Sequence, residues 1–257
     1  MRRGFLAALA LTLVWAGTAT GEVTEQQGVR VSVQGKLAPT MLPRSGTAPV
    51  SVSFGGRITS TGQADPPQLS EVAIALNSNG RLATGGLPRC RLGHIDPSTT
   101  REALAACGSS VVGEGHFSAD VRLPEQSPFP SAGKVLAFNG RFGGRPAIFA
   151  HIYGTEPAPT SYVLPFLVKQ TDGTYGTVLE ASLPRVTGDW GFVTGISMKL
   201  QRTFVFHGKT HSYISAGCPA PAGFPKVVFP LAKTTFSFEG GPMLSTVLNR
   251  SCKVGGH

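Results

Sequence analysis

Residues 29–34, with the sequence VRVSVQ, decide the fold class. Three valines alternate with arginine, serine and glutamine, and a period of two is typical of a β-strand with one buried and one solvated face. The same alternation recurs at residues 50–54, 117–123, 196–206 and 236–238. Other runs are apolar or small on both faces, as in central strands: residues 72–76, 146–153 and 162–168. We therefore expect a protein built mainly of strands.

Turn signals separate these runs. Asn79-Gly80, Asn139-Gly140 and Asp172-Gly173 favour tight hairpin turns, because asparagine, aspartate and glycine tolerate a positive φ. The 33 glycines and 20 prolines among 257 residues are too many for a helical bundle. The pattern predicts an all-β fold, an antiparallel sandwich-like arrangement of about 10–14 strands.

One short helix is expected between Cys90 and Cys107. Asp96-Pro97 supplies a start signal, and Thr99 and Glu102 have the spacing of a capping box. We expect residues 22–49 to form a lead-in strand and a proline-rich segment, and residues 50–257 to form the β-sandwich body. A second boundary near residue 173 is an alternative to one continuous sheet.

The N-terminus has the pattern of a cleaved signal peptide over residues 1–21. Arg2 and Arg3 precede an apolar run at residues 5–16, and small residues follow. That run is too short to span a bilayer, and no later run is longer, so we expect no transmembrane segment in the mature chain. The arginine pair also occurs in twin-arginine signals, but the short positive region and the strongly apolar run favour the Sec route. We expect a secreted, extracytoplasmic bacterial protein.

The four cysteines are even in number and lie in the mature chain: Cys90, Cys107, Cys218 and Cys252. In an exported protein they predict two disulfides, for which three pairings exist. We favour the sequence-local pairing, Cys90 with Cys107 and Cys218 with Cys252. The wide spacing lacks the close pairs of a zinc site, so we expect no metal and no cofactor.

Positive charge is concentrated toward the C-terminus. The formal net charge is +9, to which Arg2 and Arg3 contribute, and residues 190–257 hold seven lysines or arginines but one acid, Glu239. A basic surface attracts an anionic envelope polymer or lipid. The bases are spaced singly, which argues against specific nucleic-acid recognition, and an ordinary basic soluble protein is the alternative.

The sequence contains no complete catalytic motif. Gly195-Ile196-Ser197-Met198-Lys199 departs from a nucleophile elbow at its last residue, and His207 and His211 flank Gly208 with no nearby acid. Glu114 between Gly113 and Gly115 could act as a loop carboxylate, but such glycines also permit a close approach of strands. We predict no catalytic residues and a protein that is not an enzyme.

Two aromatic residues are the candidate binding residues. Trp190 and Phe192 lie in Gly188-Asp189-Trp190-Gly191-Phe192, a glycine-flanked segment that suggests a turn. An exposed tryptophan there could stack on a sugar or contact lipid. A buried tryptophan that closes one end of the sandwich is the alternative.

Several segments together resemble a family of uncharacterised exported proteins of high-GC Gram-positive bacteria. The resemblance spans nearly the whole mature chain and rests on residues 36–39, 42–44, 46–50, 86–90, 107, 112–115, 137–140, 213–221 and 223–225. It implies export, two disulfides and a β-rich fold. It implies no activity, substrate or catalytic residue.

Three hypotheses of function follow. The first is a non-catalytic binding or structural protein of the cell envelope. The second is a carrier of an apolar, lipid-like ligand in a cavity between sheets, which an internal pocket below about 300 Å³ would argue against. The third is a hydrolase of cell-wall polymer or glycan, which needs two carboxylates, or serine with histidine, converging in one cleft.

Overall fold

The computed structural model describes residues 21–62, 64–122, 125, 127–156, 158–183 and 191–255. The all-β prediction is confirmed. The strands are β1 (Glu22–Gln26), β2 (Val29–Ala38), β3 (Met41–Leu42), β4 (Ala48–Pro49), β5 (Ser51–Ser60), β6 (Leu69–Asn77), β7 (Gly80–Leu82), β8 (Val111–Val121), β9 (Phe129–Phe142), β10 (Arg145–Gly154), β11 (Thr160–Gln170), β12 (Tyr175–Ser182), β13 (Gly191–Leu200), β14 (Thr203–Phe206), β15 (Lys209–Ser212), β16 (Ile214–Ala216), β17 (Lys226–Phe238) and β18 (Met243–Val254). The helical elements are α1 (Thr100–Cys107) and two 3-10 turns, Leu92–His94 and Gly108–Ser110.

Thirteen strands form one sheet in the order β1-β2-β5-β13-β8-β9-β10-β11-β12-β6-β17-β18-β3. Neighbours in this sheet are antiparallel except β18 and β3, which are parallel. Strands β14 and β15 form a separate hairpin, and β4, β16 and β7 form a small sheet. Strands β11 and β12 flank residue 173 and pair with each other. The antiparallel, sandwich-like all-β arrangement is confirmed. The expected strand number was about 10–14; the large sheet holds thirteen strands, and the described residues form eighteen in all.

The large sheet curls so that its first strands meet β18. A Cβ on Gly35 of β2 would lie 3.1 Å from Leu248 Cδ1 of β18. Arg250 Nε donates to the Gly35 carbonyl at 2.6 Å, and its Nη1 and Nη2 donate to the Glu22 carboxylate at 2.6 and 3.2 Å. We call this contact of β1 and β2 with β18 the seam. It lets the inner face of one sheet pack against itself.

The alternating sequence of β2 correctly predicts which of its side chains face the interior. Val29, Val31 and Val33 are buried, while Arg30 and Gln34 are exposed. The valines pack against buried side chains of the distant strands β17 and β18, namely Phe236, Phe238, Leu244 and Leu248. Burial of a large apolar side chain contributes about 1.5–3 kcal/mol, so this shared core is what favours the curl.

Helix α1 covers the outer face of β9 and β10. The capping box is present as predicted: Glu102 N donates to Thr99 Oγ1 at 3.2 Å, and Thr99 N donates to Glu102 Oε2 at 2.8 Å. Ala103 of the helix packs into a buried cluster with Phe138 and Phe149. The helix thus gives these strands a second buried face, which is why residues 146–153 are apolar on both sides.

Two disulfides join Cys90 to Cys107 and Cys218 to Cys252, at sequence separations of 17 and 34. The sequence-local pairing is therefore confirmed. Paired cysteines are typical of proteins that fold in an oxidising compartment outside the cytoplasm. Among the described residues, no helix has the length and apolar character needed to cross a membrane.

Candidate binding sites

A groove of about 960 Å³ lies on the outer face of β2, β5, β13 and β8. Its walls mix polar, charged and aromatic side chains, including Gln34, Arg57, His116, Asp120, Phe192 and Thr194. Phe192 was a candidate binding residue, and the structure places it in this groove. The sequence suggested a turn around it, but Phe192 is the second residue of β13, because that strand begins at Gly191.

The register of the strands explains the floor of the groove. One row across the strands runs Ser32, Arg57, Gly195, Ser118 and Ala132. Four of these five residues are small, so few side-chain atoms project from the sheet there, which leaves room for the groove. A bulge between Val193 and Gly195 re-aims the strand at this point, as bulges commonly do.

The bulge also places a hydroxyl pair in the groove. Thr194 Oγ1 donates to Ser118 Oγ at 3.1 Å. A Cβ at position 195 would lie 2.8 Å from the same Ser118 oxygen, so the glycine leaves room for the hydroxyl at this position. The sequence shows no sign of this arrangement, since it depends on strands that are distant along the chain.

Phe192 and Asp120 are register partners on β13 and β8. Both side chains are half-buried and both line the groove. Gln68 Nε2 donates to the Gly191 carbonyl and so fixes the start of β13 beside them. An aromatic ring face and a carboxylate acceptor therefore lie next to each other on one wall.

A second carboxylate, Asp65, lies at the groove in an ion pair. Its Oδ2 is 2.5 Å from Arg122 Nη2, and both side chains are substantially exposed. Trp190, the other candidate binding residue, lies outside the described residues.

A separate cavity of about 140 Å³ lies inside the curled sheet. It is lined almost wholly by apolar side chains from many strands, among them Phe54, Ile74, Ile148, Phe166, Met198 and Phe236. This volume is below the roughly 300 Å³ that a lipid-like ligand needs. An apolar cavity of about this size stays dry and can hold a molecule of about the size of benzene.

The candidate catalytic residues are brought together only in part. Ser197 is exposed on β13, away from any strand-to-helix turn, and it lines the groove together with His116, its register partner on β8. His211 stacks on Phe204 in the hairpin of β14 and β15, with ring centroids 5.6 Å apart. Glu114 is exposed and its Oε2 lies 3.2 Å from Lys134 Nζ. Among the described residues, no group of three or more His, Cys, Asp or Glu is placed to hold a metal ion.

One polar cluster has no signal in the sequence. His151 is fully buried in β10, and its Nε2 lies 2.9 Å from the Ser98 carbonyl oxygen. The same nitrogen lies 3.2 Å from Ser98 Oγ and 3.3 Å from Ser161 Oγ. Burial lowers the pKa of His151, which keeps the ring neutral. Since Ser98 Oγ itself donates to the Ile95 carbonyl, the cluster anchors the segment before α1 and is not arranged as a nucleophile and base.

Comparisons with known proteins do not indicate a function for this chain. No family model matches the sequence, and no curated protein does. Among solved structures, the chain is similar to AvmM, described as catalysing macrocyclization in alchivemycin A biosynthesis. The TM-score is 0.26 and the sequence identity 7%, over 92% of this chain and 97% of that one. A structural similarity this weak does not support a shared fold or function.

Proposed function

We propose that this protein is a non-catalytic binding protein of the bacterial cell envelope, exported by the Sec route with cleavage of residues 1–21. Its ligand is a stretch of glycan from an envelope polymer, bound in the outer groove. The observation that carries the proposal is the pairing of Phe192 with Asp120 on one wall of that groove.

The chemistry of the groove suits sugar rings. A sugar presents one face of C–H groups, which packs on an aromatic ring, and a rim of hydroxyls, which donate to a carboxylate and accept from a guanidinium. Phe192 supplies the ring, Asp120 the acceptor and Arg57 the donors. The volume of about 960 Å³ is at the upper end of the range of ligand pockets.

The carboxylates that line the groove favour binding over hydrolysis, because one of the two is held in an ion pair. A glycosidase needs two carboxyl groups free to act as acid and base across one bond. Asp65 and Asp120 line the groove, but Asp65 is ion-paired with Arg122. The hydrolase remains the alternative, either through opening of that ion pair around a substrate or through Ser197 with its register partner His116, which both line the groove.

The structure gives the carrier hypothesis only limited support. The internal cavity is too small for a lipid-like ligand, so a carrier function would be limited to small apolar molecules. The groove is about seven times larger and is open to solvent, so it is the stronger candidate.

The test is a calorimetric titration of the mature protein with soluble oligosaccharides from envelope polymers. We expect Phe192→Ala to weaken binding about tenfold, because truncation of a buried aromatic contact removes about 1–3 kcal/mol. Phe142→Ala is the matched control, since Phe142 is exposed near the turn between β9 and β10 and lies outside the groove. Equal effects of the two substitutions, or no binding by the unmodified protein, would contradict the proposal. Release of reducing ends from the oligosaccharides would establish the hydrolase instead.

A further inference from the structure

We propose that a second surface, formed by β17, β18, β3 and the loop before β17, binds the surface of an anionic lipid bilayer. Its residues are Met41, Arg44, Phe224, Lys226, Val228 and Lys253, and we call it the basic-apolar face. It uses different strands from the groove and does not depend on the function proposed above.

The register places the charges and apolar groups together. Lys226 of β17 pairs with Lys253 of β18, and Lys253 pairs in turn with Met41 of β3. Register partners share a face of the sheet, so the three side chains stand in one row. Both lysines are exposed, and Met41 is 62% exposed. Val228, two residues along β17, points to the same side and is 65% exposed.

The loop before β17 adds an aromatic residue and a third cation. Arg44 Nη2 donates to the Phe224 carbonyl at 3.0 Å, and Val254 N donates to the Pro225 carbonyl at 2.8 Å. These bonds hold the loop against the ends of β3 and β18. The Phe224 ring itself is 61% exposed. The loop therefore presents an exposed aromatic ring two residues before Lys226.

The charge of this face lacks internal compensation. Within the part of the chain that the structure describes, neither lysine nor Arg44 forms an ion pair with a carboxylate. Like charges directly opposite each other on paired strands are destabilising. An anionic partner at this face would relieve the repulsion between the paired lysines.

The combination selects a lipid surface over a soluble polyanion. Basic residues near an anionic leaflet gain electrostatic attraction, and an exposed phenylalanine gains by insertion at the acyl boundary. A polyanion would use the cations but leave Phe224, Met41 and Val228 in water. The bilayer uses both kinds of group.

The experiment is cosedimentation of the mature protein with vesicles of phosphatidylglycerol and phosphatidylcholine, compared with phosphatidylcholine alone. We expect binding to the anionic vesicles and none to the neutral ones. Lys226→Gln and Lys253→Gln should each weaken binding about fivefold. Lys233→Gln is the matched control, because Lys233 is an exposed lysine of the same strand outside the face, and we expect less than a twofold effect.

Phe224→Ser separates the two kinds of anionic partner. We expect about a tenfold loss of vesicle binding, because the inserted ring is lost. An unchanged affinity, combined with loss in both lysine variants, would show a purely electrostatic polyanion site and overturn the lipid assignment. Equal binding to neutral vesicles, or equal effects of Lys226→Gln and Lys233→Gln, would overturn the proposal as a whole. Lys226→Gln should also raise the thermal midpoint slightly, which shows that lost binding is not lost folding.

Discussion

Gly113 and Gly115 show how single residues set the spacing of the sheet. A Cβ at position 115 would lie 1.8 Å from the Ser197 carbonyl oxygen, and one at position 113 would lie 2.4 Å from that of Lys199. The sequence left two interpretations of the intervening Glu114, and the close approach of strands is the one that the structure supports. Nothing in the sequence could distinguish them, because the contact lies about eighty residues further along the chain.

Gly115→Ala tests this close approach. The new methyl group would meet the backbone of β13, which has no side chain that can move aside, so we expect a loss of about 1–3 kcal/mol in the free energy of unfolding. Denaturant titration measures it. Gly85→Ala is the control, since a Cβ at position 85 meets nothing within 4 Å. A similar loss of unfolding free energy at position 85 would show that the backbone freedom of glycine, and not the contact with β13, accounts for the effect.

His151 makes stability depend on pH. Burial lowers its pKa, while the hydrogen bond to the Ser98 carbonyl and the nearby Asp96 oppose that shift. Below the ordinary histidine pKa of about 6.5, the unfolded chain binds a proton that the folded chain does not. Stability should therefore be constant in this respect above about pH 6.5 and fall as the pH drops below it. Thermal midpoints from pH 8 to 5 measure this, and His151→Gln should flatten the profile. An equally steep fall in the variant would assign it to other groups.

Most elements that depend on neighbouring residues could be predicted from the sequence, whereas contacts between distant strands could not. The turn predicted at Asn139-Gly140 is wrong, because both residues lie inside β9. The capping box of α1, the alternating strands and the sequence-local disulfides all depend on residues close in the chain. The seam joins Arg250 to Glu22, which are 228 residues apart, and no periodicity reports such a contact. The groove likewise depends on the order of β2, β5, β13 and β8, so Phe192 is the one described groove residue that the sequence predicts to bind a ligand.

The Cys218–Cys252 disulfide ties the segment after β16 to β18. Both cysteines are fully buried and pack with Leu42 and Phe229. Loss of a cross-link that closes 34 residues increases the entropy of the unfolded chain, so we expect Cys218→Ser with Cys252→Ser to remove about 4 kcal/mol of stability. Denaturation of the variant and of the parent protein measures the difference. A change below about 1 kcal/mol would show that packing alone holds this segment.

At the scale of the molecule, the curl leaves an interior that the side chains do not fill. A benzene titration should raise the thermal midpoint, since a ligand that binds only the folded state stabilises it. Ala150→Val should reduce this rise, because Ala150 lines the cavity. Ala147→Val is the control: Ala147 is a buried alanine of the same strand that faces the α1 cluster. An equal reduction in both variants, or no rise in the parent protein, would show that the interior binds no such molecule.

The seam also imposes an order in time. The chain emerges with its N-terminus first, so the valines of β2 are present well before the side chains of β17 and β18 that bury them. Contacts between such distant residues must close nearly the whole chain into a loop, and folds dominated by them form slowly. Until Arg250 reaches Glu22 and Gly35, one apolar face of the growing sheet is open to water. Strand β18 thus completes the interior that β2 begins.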